Sequence, residues 1–210
     1  GQGARGYLET DAPLDVLISL REVCHQLPRT SDDVHCWKWC ILALWSAVSG
    51  AHVCNVTGTM QIGALDKDSR AARIQGLQHD ASDTERSAAF KKDRLASGKK
   101  LLALVEAPRE QRDPNADPPV IMTPQQRVSF STLQSLRDQF VHFKPVGWMI
   151  DLRGLPEICR DMLLHVAEIA NGPRFFLHMS EAHRNEFWHL HRQAITYLDD
   201  AQLQSKRPAL

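Results

Sequence analysis

The segment from Trp37 to Val56 constrains this chain most. It carries Trp37, Trp39, Ile41, Leu42, Leu44, Trp45 and Val48 with few charged residues between them. A helix with that pattern is apolar on most of its sides and has to be wrapped by other elements, so it is expected at the centre of a helical core. Asp32 or Asp33 supplies the capping oxygen ahead of it. No uninterrupted apolar run reaches the roughly 18 residues that mark a membrane span, so none is expected.

The flanking segments supply amphipathic helices to wrap it. Pro13 to about Gln26 places Leu14, Val16, Leu17, Leu20 and Val23 on one stripe, with Asp11 as cap and Pro28 as stop. Residues 58 to 82 are polar and mixed and read as loop with room for a short helix. Thr84 and Glu85 open a predicted helix whose apolar face is Phe90, Leu95, Leu101, Leu102, Leu104 and Val105. Its other face is basic, with Lys91, Lys92, Arg94, Lys99 and Lys100. Residues 107 to 123 hold Pro108, Pro114, Pro118 and Pro119 and predict a long loop. Thr123 before Pro124 is a strong helix start. The helix that follows carries an apolar stripe of Val128, Phe130, Leu133, Leu136, Phe140 and Val141 and ends near Phe143, ahead of Pro145. A short extended piece is expected over 146 to 152, with a turn at Arg153-Gly154. Two more helices are expected, from Pro156 to about Ala170 and from about Ser180 to Ala201. Strand patterns are too sparse for a sheet. The expectation is an all-α bundle of five or six helices, one domain from 10 to 203 between short tails.

Charge and cysteine content narrow the function classes. Lys plus Arg and Asp plus Glu both number 25 among the 210 residues, so the chain is not a polybasic protein that binds nucleic acid by bulk charge. Five cysteines (Cys24, Cys36, Cys40, Cys54, Cys159) are odd in number and sparse, which points to free thiols in a reducing, cytoplasmic setting. No signal peptide is expected. Asn55-Val56-Thr57 matches a glycosylation pattern that such a setting would leave unused.

Most chemistry-bearing patterns are missing. There is no glycine-rich phosphate loop after a strand and no His-Glu-x-x-His pair. Cys36 and Cys40 stand one helical turn apart beside His35, but in so apolar a helix a cysteine pair reads as core packing, and no metal or other cofactor is expected. Trp37, Trp39 and Trp45 at helical spacing likewise read as core before they read as a base-stacking platform.

One stretch stands apart. Residues 136 to 145 read Leu-Arg-Asp-Gln-Phe-Val-His-Phe-Lys-Pro, with Arg137 and His142 separated by four residues at the end of an amphipathic helix. This arrangement resembles the Arg-x4-6-His signature of the HEPN superfamily of small all-helical domains. The following residues 143 to 148, Phe-Lys-Pro-Val-Gly-Trp, are similar to a bacterial branch of it. Family members often carry a polar residue, frequently Asn, after the arginine, where this chain has Asp138. The resemblance implies a metal-independent ribonuclease that works as a homodimer, of a kind found in toxin–antitoxin and defence systems, with RNA as substrate and an antitoxin or other protein as partner. Arg137, Asp138 and His142 are the catalytic candidates it implies. Lys144, Lys91 and Lys92 are candidates for holding the RNA backbone. Some HEPN domains bind RNA, nucleotides or proteins without cleaving, and that alternative stays open, as does a plain helical interaction protein.

Random placement of the arginines and histidines gives about 0.8 matches to this spacing, and the sequence holds three. Arg160 with His165 and Arg184 with His189 are the others. Position separates them. His142 falls in a last helical turn, where free carbonyls and the helix dipole favour an imidazolium. His165 falls among core positions, and His189 on a polar face. Residues five apart lie about 140° apart around a helix, so Arg137 and His142 do not share a face, whereas Asp138 and His142 do.

Overall fold

The computed structural model describes residues 10–58, 62–78, 81–84, 86–87, 93–142 and 147–205. Among them are seven helices and no strand: α1 (Ala12–Gln26), α2 (Cys36–Val56), α3 (Lys67–Gly76), α4 (Gly98–Glu106), α5 (Pro124–Val141), α6 (Leu155–Ala170) and α7 (Glu181–Ser205). The five long helices are those expected from periodicity. The bundle therefore has the predicted all-α class; α3 is the short helix for which 58 to 82 left room, and α4 is the C-terminal part of the helix expected from 84 to 105.

Helix α2 is the axis of the bundle. It packs against α1, α4, α5 and α6, and α7 closes the far side across α1 and α6. Its length and apolarity would suffice to cross a membrane, because the helix runs on through Lys38, Ser46 and Ser49, which interrupt the apolar run in the sequence. Most of it is buried inside the bundle. Leu44, Ile41, Ala47, Val48 and Ala51 are wholly buried, as are Val16, Leu17 and Leu20 on α1 and Met162, Leu163 and Val166 on α6. Of the three tryptophans on α2, Trp37 and Trp45 join this core, while Trp39 stays half exposed under the ammonium of Lys38.

Local chemistry sets the helix ends. Asp11 Oδ1 accepts from the Leu14 amide at 2.9 Å, the expected cap of α1. A 3-10 turn over Leu27–Ser31 then reverses the chain, and Ser46 donates to Asp15 across the resulting antiparallel pair. The expected cap of α2 is corrected: Asp33 accepts from the His35 amide, but His35 is the capping residue and makes no side-chain capping bond, so neither Asp32 nor Asp33 caps the helix. Thr123 and Gln126 form a reciprocal capping box at the start of α5, where Pro124 takes the first position.

The expected single helix from 84 to 105 is corrected. Residues 93 to 97 leave the helical path, and Leu95 forms an isolated antiparallel bridge with Leu65. The Ala96 amide donates to Ala64 O and the Asp66 amide to Arg94 O. The Arg73 guanidinium pairs with Asp93, tying α3 to this crossing. Lys91, Lys92 and Lys144 lie outside the described residues, as do 143–146, so the described part of the expected extended piece begins at Gly147, and residues 147–151 are irregular.

The proline-rich loop is present but fastened down. The Arg112 guanidinium donates to Leu104 O and Val105 O at the end of α4, to both oxygens of Asn55 at the end of α2, and to Asp117 O. A single forked cation thus satisfies the free carbonyls of two helix ends. Asn55 is buried and also donates to Pro118 O, so the glycosylation pattern sits inside the fold.

Candidate functional site

The site is built on the last three turns of α5. Phe130, Leu133 and Leu136 turn inward and fix its rotation against the core. That leaves Ser131, Ser135, Asp138 and Gln139 on the outer side. His142 is the C-terminal capping residue, with its amide donating to Asp138 O at 2.9 Å. Its side chain is exposed.

These residues border a cleft of about 570 Å³. Gln134, Asp138, Gln139 and His142 form one side of it; Lys99, from the first turn of α4, and Trp148 complete it. Lys99 belongs to the basic face recognised in the sequence but was not among the residues expected at the site. Trp148 stood in the quoted stretch without a role. Nothing in the sequence places α4 beside α5, because that proximity follows from both helices packing on α2.

Arg137 is held differently. Its guanidinium carbon lies 4.8 Å from the centre of the Trp45 ring on α2, a cation–π contact. Its Nη1 pairs with Asp138 Oδ1 at 2.7 Å. Its Nε is buried without a hydrogen-bond partner. Trp45 is itself wedged between Phe130, 5.4 Å away, and Gly98. The structure therefore brings Asp138 and His142 to the cleft and keeps Arg137 behind them, joined to the cleft through Asp138. Asp138, which shares a helix face with His142, uses its carboxylate for Arg137 and its backbone oxygen for the His142 amide.

The other two matches to the spacing lie away from this cleft. Arg160 pairs with Asp199 on α7, and His165 is fully buried against His52. Arg184 lies over Phe176, and His189 is exposed. Cys36 and Cys40 are buried thiols on α2. Among the described residues no group of three or more His, Cys, Asp or Glu side chains is arranged to hold a metal ion.

Comparison of the chain with protein-family models, with curated proteins and with solved structures returns no match. The class defined by fold and site is an all-helical bundle with a polar cleft at one helix end.

Proposed function

We propose that the chain is a metal-independent endoribonuclease of HEPN type acting at the cleft beside α5. The observation that supports this reading is the exposed His142 imidazole on the wall of an open cleft that also holds Lys99. In the reaction His142 takes the proton from an RNA 2′-hydroxyl. The 2′-oxygen then bonds to the adjacent phosphorus, the bond from phosphorus to the 5′-oxygen breaks, and that oxygen leaves with a proton. Imidazole suits both transfers near neutral pH. Charge gathers on the non-bridging oxygens; Arg137 has the fork to meet it and takes this role by exchanging its pair with Asp138 for the phosphate. One histidine serves as base; a second copy of the motif in a homodimer supplies the acid. The product ends in a 2′,3′-cyclic phosphate.

A second reading rests on Arg137. Its stacking on Trp45 and its pair with Asp138 hold it away from the cleft, as in a module that binds RNA or a protein partner without cleaving. Incubating wild type and His142→Ala with mixed single-stranded RNA in EDTA separates the two. Cleavage by wild type alone, with cyclic-phosphate ends, supports the enzyme. Binding by both with cleavage by neither supports the module.

A further inference from the structure

The cleft has one aromatic wall. Trp148 stands 4.9 Å from Phe140 in an edge-to-face contact with the planes at 64°, yet 43% of it remains exposed. The contact seats the ring against α5 and leaves part of its surface on the cleft. Lys99 brings an ammonium group to the same cleft, and Ser131, Ser135 and Gln139 add hydroxyl and amide groups along α5. An aromatic face, a cation and hydrogen-bonding side chains in a space of this size match the base, phosphate and sugar of a nucleotide unit.

We propose that Trp148 is the stacking platform for one unpaired RNA base, with Lys99 taking the neighbouring phosphate. This rests on reading the cleft as an RNA site. A base within a duplex has both faces covered by its neighbours and cannot offer one to Trp148, so the site selects single strands. Stacking tolerates any base, so the platform confers strand selection with little sequence selection.

The test uses a 2′-O-methyl RNA oligonucleotide, which lacks the attacking hydroxyl and cannot be cleaved, so binding is read apart from catalysis. Its affinity and its quenching of tryptophan fluorescence are measured with wild type, Trp148→Phe and Trp148→Ala. Abasic and duplex versions of the oligonucleotide serve as probes of the base. The expected result is quenching by the single strand, loss of about ten-fold in affinity in Trp148→Ala, and retention of most of it in Trp148→Phe. The abasic and duplex probes should bind weakly to all three. Equal affinity of wild type and Trp148→Ala overturns the inference, as does equal binding of the abasic strand. So does a concentration-dependent burial of Trp148 without RNA, which would show that a second copy covers it. Base-dependent quenching without cleavage of ordinary RNA removes the ribonuclease and keeps the platform. Cleavage unaffected in Trp148→Ala, with unchanged binding, does the reverse.

Discussion

The Nε2 atoms of His52 on α2 and His165 on α6 lie 2.9 Å apart in the core. One must donate and the other accept, so exactly one hydrogen lies between two neutral rings. Phe130 of α5 packs 5.7 Å from the His52 ring. Among the described residues the acid facing the pair is Glu168, whose Oε2 is 3.7 Å from His165 Nδ1, and that Nδ1 makes no hydrogen bond. Burial pushes both rings down, His52 to about 3 and His165 to about 4, and a positive charge on His165 further disfavours one on His52.

Acid sensitivity follows from this pair. The unfolded chain takes up protons on these histidines near pH 6.5, while the folded chain resists until far lower. Stability is therefore full above about pH 6.5 and falls as the pH drops toward the folded-state values. Melting curves from pH 7.5 to 4.5 should show a steady fall in Tm. A double variant with His52→Gln and His165→Leu should flatten the curve. A residual slope is expected from His191, which burial also lowers. An unchanged slope in the double variant would move the effect elsewhere.

Arg112 gives a second test. It donates to carbonyl oxygens from α2, α4 and the proline-rich loop, a geometry that an ammonium cannot reproduce. Arg112→Lys should lower stability by about 2 kcal/mol and Arg112→Ala by more, because several buried carbonyls lose their donor. Limited proteolysis locates the effect: the 107–123 loop should resist cleavage in wild type and be cut first in the variants. Uniform digestion in both proteins would count against the loop as the region Arg112 holds.

The sequence carried the long helices plainly, because Asp11, Thr123-Pro124 and Pro156 mark starts and the apolar stripes mark buried faces. It misled over 93 to 97. Leu95 fits the helical stripe of its neighbours, but pairing with Leu65 overrides that local pattern, and Ser97-Gly98 was the available sign of a new helix start. At the site, His142 and Asp138 were legible as a helix-end pair. The stacking of Arg137 on Trp45 and the approach of Lys99 were not, since both depend on how α4 and α5 dock on α2. The partnership of His52 with His165 joins residues 113 positions apart and has no local signature.

The thiols offer a test of the core. Cys24, Cys36, Cys40 and Cys159 are buried and unpaired, and burial raises Cys24 to about 11 and Cys159 to about 12. The thiolate is the reactive form, so Cys24, Cys40 and Cys159 should resist Ellman's reagent at pH 8, and burial alone shields Cys36. Native protein should react slowly at these four positions, and addition of denaturant should release all five thiols. Rapid reaction of Cys40 or Cys159 in the native state would mean that the α1–α2–α6 contact opens.

Gly98 links fold and site most directly. A Cβ there would come within 2.8 Å of Cη2 and Cζ2 of Trp45, the ring on which Arg137 rests. Gly98→Ala should therefore displace Trp45 and destabilise the chain by about 1–3 kcal/mol through overpacking. It should also disturb Arg137, while the only approach of the added Cβ to the cleft wall among its three nearest atoms is an ordinary van der Waals contact with Gln134 Nε2 at 3.8 Å. If Arg137 acts on RNA from its place behind Asp138, Gly98→Ala lowers kcat at a temperature where the protein is still folded, and binding of an uncleavable strand stays near wild type. Arg137→Lys separates charge from shape: it keeps a cation but loses the planar stack and the fork, so the enzyme reading expects a large loss of cleavage with a modest loss in Tm. Full cleavage in Arg137→Lys, accompanied by a lower Tm, would assign Arg137 to packing alone and leave His142 to be tested with another cation of the cleft, Lys99.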